Sequence, residues 1–316
     1  MADTQIRNVA IVGTGLIGAS WAAQYLASGL DVIATDPAPN AEANLRKWVD
    51  DAWELLTVVG LASGASRDRL TFTADMNEAV SKADFVQENV PERLLLKSKV
   101  FAQMDDVAAP HTILASSASG ITMDSIQSGC KKHPERCVTG HPFNPPHVIP
   151  LVEVVGGAKT SEETIERTIT FYASLGKKPI RLRKAVAGHV GNRLQAALYR
   201  EILYLIQQGV VTVEDADLAV SYGLGLRWGV MGPSLQWHLA GGSGGIQHFV
   251  ETFMDGFTGL MKKLEMPDVT PALIQTILDG VLKEANGQSV EQLAQAENKL
   301  VMELVALRAK ASKSLP

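Results

Sequence analysis

Apolar positions recur with two different periods in the two halves of the chain. Up to about residue 185, short β-branched runs alternate with longer segments of helical period. Alternation of this kind predicts βαβ units, in which a mostly parallel sheet carries helices on both faces. The predicted strands are Val9–Val12, Asp31–Thr35, Leu70–Thr73, Ala83–Gln87, Thr112–Ser116, Arg136–Gly140, Leu151–Val155 and Lys178–Arg183, and the helices between them include Leu16–Ser28, Ala41–Val59 and Arg93–Asp105.

Beyond Gly188 the strand pattern ends, and long segments with a period of about 3.6 residues follow. Thr212 precedes an acidic first turn, so its hydroxyl is suited to cap the start of a further helix. The second half is therefore predicted to be all-helical. The predicted helices are Thr270–Glu284, Ser289–Ser312 and Val190–Gln208, the last with Leu194, Leu198, Ile202 and Leu205 on one face.

The predicted fold class is α/β, with an N-terminal Rossmann-type doubly wound sheet and an all-α C-terminal domain. The NAD-binding domain is predicted over residues 1–186 and the helical domain over residues 187–316. The total length is sufficient for two domains of ordinary size. The helical domain is expected to contribute to substrate binding and to dimerisation, because its many apolar faces favour burial against a partner.

Composition narrows the setting in which the protein works. Hydrophobic residues make up 46% of the chain and charged residues 20%, as in soluble globular proteins. The net charge of −5 includes no basic block, which argues against a nucleic-acid partner. No apolar run approaches the roughly 20 residues of a transmembrane helix, and the N-terminus does not resemble a signal peptide. With Cys130 and Cys137 outside any CxxC spacing, we expect a cytoplasmic protein with reduced thiols and no metal.

The first predicted strand runs into a glycine turn, Gly13-Thr-Gly15-Leu-Ile-Gly18, which opens a helix. The next strand ends in Asp36, 23 positions after Gly13, close to the spacing of about 20 in dinucleotide-binding folds. Glycines allow the tight turn and the approach of the backbone to a pyrophosphate, and the acidic residue accepts hydrogen bonds from the adenosine ribose. A carboxylate there also repels a 2′-phosphate, so NAD is favoured over NADP. The predicted contacts are Gly13, Gly15, Leu16, Ile17, Gly18 and Asp36.

Four blocks in a fixed order carry a resemblance that covers nearly the whole chain. They read SSASGI (116–121), GHPFNPP (140–146), LVEVV (151–155) and GNRL (191–194). Together with the glycine turn, they resemble the signature blocks of the 3-hydroxyacyl-CoA dehydrogenase family. The resemblance implies an active site formed by Ser119, His141, Glu153 and Asn192.

The chemistry of these residue types agrees with the resemblance. Oxidation of a secondary alcohol needs a base for the hydroxyl proton, and His141 ends a predicted strand where open α/β sheets bind ligands. Glu153 would orient the imidazole and stabilise the imidazolium, while Ser119 and Asn192 would hydrogen-bond the substrate oxygen. Each residue also has a structural alternative: Ser119 as a helix cap, Asn192 as a partner of backbone groups, and Glu153 as the partner of a surface lysine.

The resemblance also implies further contacts near the nicotinamide. Glu92 and Lys97 match a glutamate and a lysine that the family places after the fourth strand. Ser117 stands where the family has asparagine and is likewise assigned to the cofactor. Asn144 is suited either to a hydrogen bond beside His141 or to bracing the Pro-Pro turn.

The segment after the second strand departs from the family pattern. Members that use CoA have a serine and lysines there, whereas here Arg46 and Lys47 are followed by Asp50, Asp51 and Glu54. An acidic cluster is a poor binding site for several phosphates. The departure puts a CoA thioester in doubt.

The segment GLRWGVMGPSLQWHLAGGSGGIQHF (225–249) instead resembles the L-carnitine dehydrogenase branch of the family. Aromatic faces attract a trimethylammonium group by cation–π interaction. Phe143 and Phe253 are the first candidates for this contact, and Trp228 and Trp237 the second. Alternatively, these side chains belong to the core or to a dimer interface. The carboxylate partner is left open among Arg193, Arg227 and backbone N–H groups near Gly188.

The resulting prediction is NAD-dependent oxidation of the 3-hydroxyl of L-carnitine to 3-dehydrocarnitine by a homodimer. The alternatives are a 3-hydroxybutyryl-CoA dehydrogenase and an L-gulonate 3-dehydrogenase or its related lens crystallin. A dehydrogenase with a catalytic lysine on the helix between the domains is disfavoured, because GHVGNRLQ (188–195) contains no lysine.

Overall fold

The computed structural model describes residues 6–311, which form two compact units. One unit extends to Arg193 and the other begins at Leu194. Met1–Gln5 of the predicted N-terminal domain, and Ser312 of the last predicted helix, lie outside the described residues.

The first unit is built on one sheet of eight strands, in the order β3-β2-β1-β4-β5-β6-β7-β8. Every neighbouring pair is parallel except β6 and β7, which are antiparallel. The predicted mostly parallel, doubly wound sheet is confirmed. The strands are β1 (Asn8–Val12), β2 (Asp31–Thr35), β3 (Leu70–Phe72), β4 (Phe85–Glu88), β5 (Ile113–Ser116), β6 (Cys137–Pro142), β7 (Leu151–Gly156) and β8 (Lys178–Arg181).

Helices cover the sheet, and side-chain caps fix where several of them begin. The Asp75 carboxylate accepts a hydrogen bond from the Asn77 N–H, and the Ser161 hydroxyl accepts one from the Thr164 N–H. An apolar cluster that includes Val86, Leu114, Phe101 and Met104 is fully buried. The helices are α1 (Leu16–Ala27), α2 (Ala41–Val59), α3 (Met76–Ser81), α4 (Leu94–Val107), α5 (Met123–Gln127) and α6 (Glu162–Ser174).

The sheet topology gathers several predicted site residues at one edge. Strand β1 pairs with β2 on one side and with β4 on the other, so the strand order reverses at β1. Open α/β sheets bind ligands at the carboxyl ends of the strands beside such a switch point. Gly13, Asp36, Asn89 and Ser117 directly follow β1, β2, β4 and β5.

Strand β6 is longer than its pattern predicts. It continues through His141 and Pro142 because these residues pair with Glu153 and Val152 on the antiparallel strand β7. The pairing brings two residues that are 12 positions apart in the chain into direct register.

The second unit is entirely helical within the described residues, as predicted. Thr212 caps a helix as expected, since its hydroxyl accepts the Asp215 N–H at 3.1 Å. A small core contains Ile206, Val213 and Leu273. The helices are α7 (Gly191–Gln207), α8 (Val213–Leu218), α9 (Gly225–Val230), α10 (Pro233–Ala240), α11 (Gly245–Met261), α12 (Pro271–Ala285) and α13 (Val290–Ala311), with a π-helical turn at Ala219–Leu224.

The first turn of α7 belongs to the first unit by its contacts. The backbone N–H groups of Val190 and Gly191 bind Glu153, and Arg193 hydrogen-bonds the Ala187 carbonyl.

None of the helices within residues 6–311 combines the length and the apolar character that a membrane-spanning helix needs.

Candidate active site

The turn after β1 has a geometry that requires glycine at two positions. Gly13 has φ +91°, and a Cβ on it would lie 2.9 Å from the carbonyl carbon of Asn89. A Cβ on Gly18 would lie only 1.9 Å from the Gly13 carbonyl oxygen. These close approaches join the turn to the start of α1 and to the end of β4.

The start of α1 is open to a ligand. Gly15 precedes the helix without a side-chain cap, and within residues 6–311 a Cβ on it would have no neighbour within 4 Å apart from the adjoining chain. Leu16 is 54% exposed and Ile17 is half-buried. Uncapped N–H groups and free space at a helix N-terminus suit a pyrophosphate, so the residues present fit a dinucleotide.

Asp36 follows β2 next to this turn. One carboxylate oxygen accepts hydrogen bonds from the Thr14 N–H at 2.7 Å and the Thr14 hydroxyl at 3.2 Å. The other accepts the Ala38 N–H at 2.9 Å. Because a carboxylate has about four acceptor positions, the half-buried Asp36 retains capacity for a ribose hydroxyl.

The buried pair of His141 and Glu153 lies at the far end of β6. His141 Nδ1 is 2.9 Å from Glu153 Oε2, and the Glu153 side chain is fully buried. The other oxygen, Oε1, accepts the N–H groups of Val190 at 2.7 Å and Gly191 at 3.0 Å. An ionised carboxylate in this position requires a proton on Nδ1, which leaves Nε2 as the basic nitrogen of the neutral ring.

Burial lowers the pKa of His141 below its usual value of 6.5. The charge of a neighbouring histidine, His189, acts in the same direction, whereas the hydrogen bond and charge of Glu153 and the charge of Glu92 raise it. The net lowering keeps the ring neutral at physiological pH. His141 can therefore accept a proton.

Glu92 organises the loop that carries Ser119. Its Oε1 accepts three backbone N–H groups, from Ser119 at 3.1 Å, Gly120 at 2.8 Å and Ile121 at 3.1 Å. Within residues 6–311 no hydrogen bond occupies the Ser119 hydroxyl or the Asn192 side chain. Both groups are therefore available to a substrate oxygen.

Lys97 is buried beneath this loop. Its Nζ donates to Glu88 Oε1 at 2.8 Å and to the Val90 carbonyl at 3.0 Å, and it lies 3.5 Å from Glu92 Oε2. Burial raises the pKa of Glu88, although Lys97 opposes that effect. Lys97 thus helps to hold the Glu92 carboxylate in place by an ion pair. A direct contact between Lys97 and NAD stays a prediction.

Ser117 belongs to a polar network under the same edge. Its hydroxyl donates to Asn89 Oδ1 at 2.7 Å and accepts from Gln87 Nε2 at 2.9 Å. The hydroxyls of Tyr25 and Tyr172 both donate to Gln87 Oε1. The network fixes the ends of β4 and β5, and the contact of Ser117 with the cofactor stays a prediction.

The predicted aromatic contacts fall into separate groups. In the first unit, the ring centroid of Phe143 is 6.2 Å from that of His141, and Phe143 packs so closely on Gly191 that a Cβ there would lie 2.3 Å away. In the second unit Trp228 lies on α9 and is 36% exposed. A cavity of about 430 Å³ in that unit is lined by Trp237, Phe249, Thr252, Phe253, Gly256, Phe257 and Leu260.

His189 is the residue beside His141 that sequence reasoning missed. It is 5% exposed, its ring centroid is 4.8 Å from that of His141, and its Nε2 lies 3.1 Å from the Ala118 carbonyl oxygen. The available signal was its position two residues before GNRL (191–194), one of the blocks that carry the family resemblance.

Comparisons with known proteins extend over both units. Sequence profiles match for the 3-hydroxyacyl-CoA dehydrogenase NAD binding domain at residues 8–186 and for the 3-hydroxyacyl-CoA dehydrogenase C-terminal domain at residues 188–291. L-carnitine dehydrogenase of Bacillus cereus is 44% identical over 307 residues, which are 97% of this chain and 94% of that protein. The Pseudomonas putida enzyme of the same name is 45% identical over 290 residues, or 92% of this chain and 90% of that protein.

A solved structure is also similar. It is described as 5-formyl-3-hydroxy-2-methylpyridine 4-carboxylic acid 5-dehydrogenase, an NAD+ dependent dismutase. It superposes with a TM-score of 0.80 at 34% identity, covering 96% of this chain and 98% of that one. These similarities, with the NAD binding domain among them, confirm NAD as the predicted cofactor.

Proposed function

Because the chain belongs to the 3-hydroxyacyl-CoA dehydrogenase family, we propose that it oxidises the 3-hydroxyl of L-carnitine to 3-dehydrocarnitine. The observation that carries the chemistry is the buried His141–Glu153 pair, with its 2.9 Å hydrogen bond. The observation that favours the substrate is the similarity to L-carnitine dehydrogenases over nearly the full length.

In this proposal His141 is the general base. Glu153 holds the Nδ1 proton, so Nε2 accepts the proton of the substrate 3-hydroxyl, and the fixed carboxylate stabilises the imidazolium that forms. NAD, when bound, supplies the acceptor for the hydride that leaves C3. Ser119 and Asn192 hydrogen-bond the substrate oxygen as it changes from hydroxyl to ketone.

Ion pairs on α2 argue against a CoA thioester. Arg46 is paired with Glu42 at 2.8 Å, and Lys47 with Asp51. Arg67 similarly lies against Asp50 at 2.6 Å. Because each cation is already beside a carboxylate, the segment has little free positive charge for the phosphates of CoA.

The trimethylammonium group has aromatic partners in this proposal. Phe143 is half-buried beside His141, so it is suited to contact the end of a small substrate. Phe253, Trp228 and Trp237 are the further candidates. A cation over an aromatic ring gains about 0.5–2 kcal/mol per contact.

The test is a panel of substrates followed at 340 nm with NAD. L-carnitine should reduce NAD, and D-carnitine, L-gulonate and 3-hydroxybutyryl-CoA should react far more slowly. The pyridine substrate of the structurally similar dehydrogenase is included as a separate arm. Faster oxidation of any of these compounds than of L-carnitine would overturn the substrate assignment while retaining the dehydrogenase chemistry.

A second test addresses the base. His141→Gln should lower turnover by about 10² to 10⁴, the usual contribution of a positioned acid–base group, while NAD affinity stays near that of the wild type. A His141→Gln enzyme that retains most of its activity would exclude histidine from the mechanism.

We also propose that the protein is a cytoplasmic homodimer. Apolar side chains are exposed on the second unit, among them Leu226 at 61%, Leu260 at 55% and Val250 at 46%. Exposed apolar area of this kind favours association. Light scattering after gel filtration should give twice the chain mass of 33.9 kDa, and a monomer at micromolar concentration would contradict the proposal.

A further inference from the structure

His189 combines three features that no role in catalysis yet explains. It has φ +49°, a backbone conformation that is uncommon for residues other than glycine. Its side chain is buried, and its Nδ1 is fully buried without a hydrogen-bond partner in residues 6–311. Both the strain and the unpaired nitrogen cost stability, so we expect the histidine to serve a purpose at this position.

The contacts of His189 link the parts of the proposed site. Nε2 must carry a proton, because it donates to the Ala118 carbonyl immediately before Ser119. The ring lies against that of His141 with centroids 4.8 Å apart and an angle of 33° between the planes. The next two residues, Val190 and Gly191, donate their N–H groups to Glu153. One short segment therefore contacts the base, its carboxylate and the loop of Ser119.

We propose that His189 is a positioning residue that fixes the ring of His141 beside the Ser119 loop in its neutral, proton-accepting form. The inference rests on the proposed function, in which His141 is the base. A positive charge on both rings would bring two cations together in a buried site. His189 therefore favours the neutral, proton-accepting form of His141.

Three groups influence the ionisation of His141 from the elements around it: Glu153 on β7, Glu92 after β4, and His189. The first two raise the pKa of His141, and His189 lowers it. Removing the His189 ring should thus raise the pKa of His141. The acid limb of kcat/KM should move to higher pH, since a larger fraction of the base is then protonated at any given pH.

The experiment compares His189→Asn with His189→Gly. Both residues tolerate a positive φ, so neither substitution adds backbone strain. Both variants remove the ring and the Nε2 donor, because the asparagine amide nitrogen takes the position of Nδ1 and does not reach the Ala118 carbonyl. The acid limb should move to higher pH in both. Both variants should also lose roughly fivefold in kcat, the effect of about one neutral hydrogen bond.

His147→Gln is the matched control. His147 is also buried, at 6% exposure, but it hydrogen-bonds Ser20 and packs against Trp48. Its loss should lower the melting temperature and leave the acid limb where it is in the wild type.

The ionisation of His141 is also measured directly by NMR titration of the histidine rings, with its signal assigned by its absence in His141→Gln. A higher pKa of His141 in His189→Asn supports the inference whichever substrate the enzyme uses. An unchanged pKa and an unchanged acid limb, with only a lower melting temperature, would show that His189 is purely structural. An active His141→Gln enzyme would instead overturn the proposed function.

Discussion

Replacing Glu153 by glutamine changes one oxygen to an amide and removes a charge from the proposed site. The carboxylate accepts three hydrogen bonds, one from His141 Nδ1 and two from the N–H groups of Val190 and Gly191. The glutamine side chain has a single acceptor oxygen. This oxygen cannot accept hydrogen bonds from His141 and from the two backbone N–H groups at the same time.

The energies of the two orientations decide which group loses its acceptor. Turning the amide NH₂ toward the backbone leaves two buried N–H groups unpaired, at about 1–3 kcal/mol each. Turning the amide NH₂ toward His141 retains the two hydrogen bonds from the backbone and loses only the one from His141 Nδ1. The second orientation is favoured, and it sets a donor against Nδ1. The imidazole then carries its proton on Nε2, so it can no longer accept the substrate proton.

We therefore expect Glu153→Gln to lower kcat by about 10² to 10⁴, with NAD binding little changed. The residual activity has its own pH signature. Glu153 raises the pKa of His141, so without the carboxylate the pKa falls further and the acid limb moves to lower pH. This shift is opposite to the one expected for His189→Asn.

The assay is steady-state oxidation of L-carnitine at 340 nm across pH, with NAD affinity measured by calorimetry. Asp105→Asn is the control, because Asp105 is a buried carboxylate that accepts the N–H groups of Lys131, Lys132 and His133 and pairs with Arg136. It should lose stability while retaining its turnover. A Glu153→Gln enzyme within about threefold of wild-type kcat/KM would refute the tautomer argument.

Asp36→Ala should narrow the preference for NAD over NADP, measured as the ratio of the two kcat/KM values; a wild type that uses both equally contradicts the assigned role. Phe143→Ala and Phe253→Ala should each raise KM for L-carnitine roughly twofold to thirtyfold. The same substitutions should leave KM almost unchanged for an uncharged analogue with carbon in place of nitrogen. If the variants prefer L-carnitine over this analogue as strongly as the wild type does, the aromatic contact is excluded. Burial lowers the pKa of His147 from 6.5 to about 4. The contribution of neutral His147 to the free energy of unfolding is therefore fully present above pH 6.5, and it falls by about 3 kcal/mol toward pH 4. The free energy of unfolding, measured with urea at a series of pH values, should depend less on pH in His147→Gln than in the wild type. An identical pH dependence would show that other groups cause the loss of stability in acid.

The period of the apolar positions and the spacing of the glycines were sufficient to predict the fold class and the cofactor. β-Branched runs and a glycine turn act locally, because strand propensity, positive φ and helix starts depend on residues a few positions apart. The bounds of β2 and α2 agree with the predicted Asp31–Thr35 and Ala41–Val59. The order of the sequence blocks was equally sufficient for the family.

Tertiary structure decided how the proposed site is assembled. The direct pairing of His141 with Glu153 depends on β7 running antiparallel to β6, and the apolar pattern of one strand does not specify which strand it pairs with or in which direction. His189 likewise reaches His141 only because the chain returns to the sheet edge, far from β6 in sequence, with φ +49°. Local sequence encodes the elements and the chemical groups they carry. Which groups meet is determined by long-range packing, which joins residues that are separated along the chain.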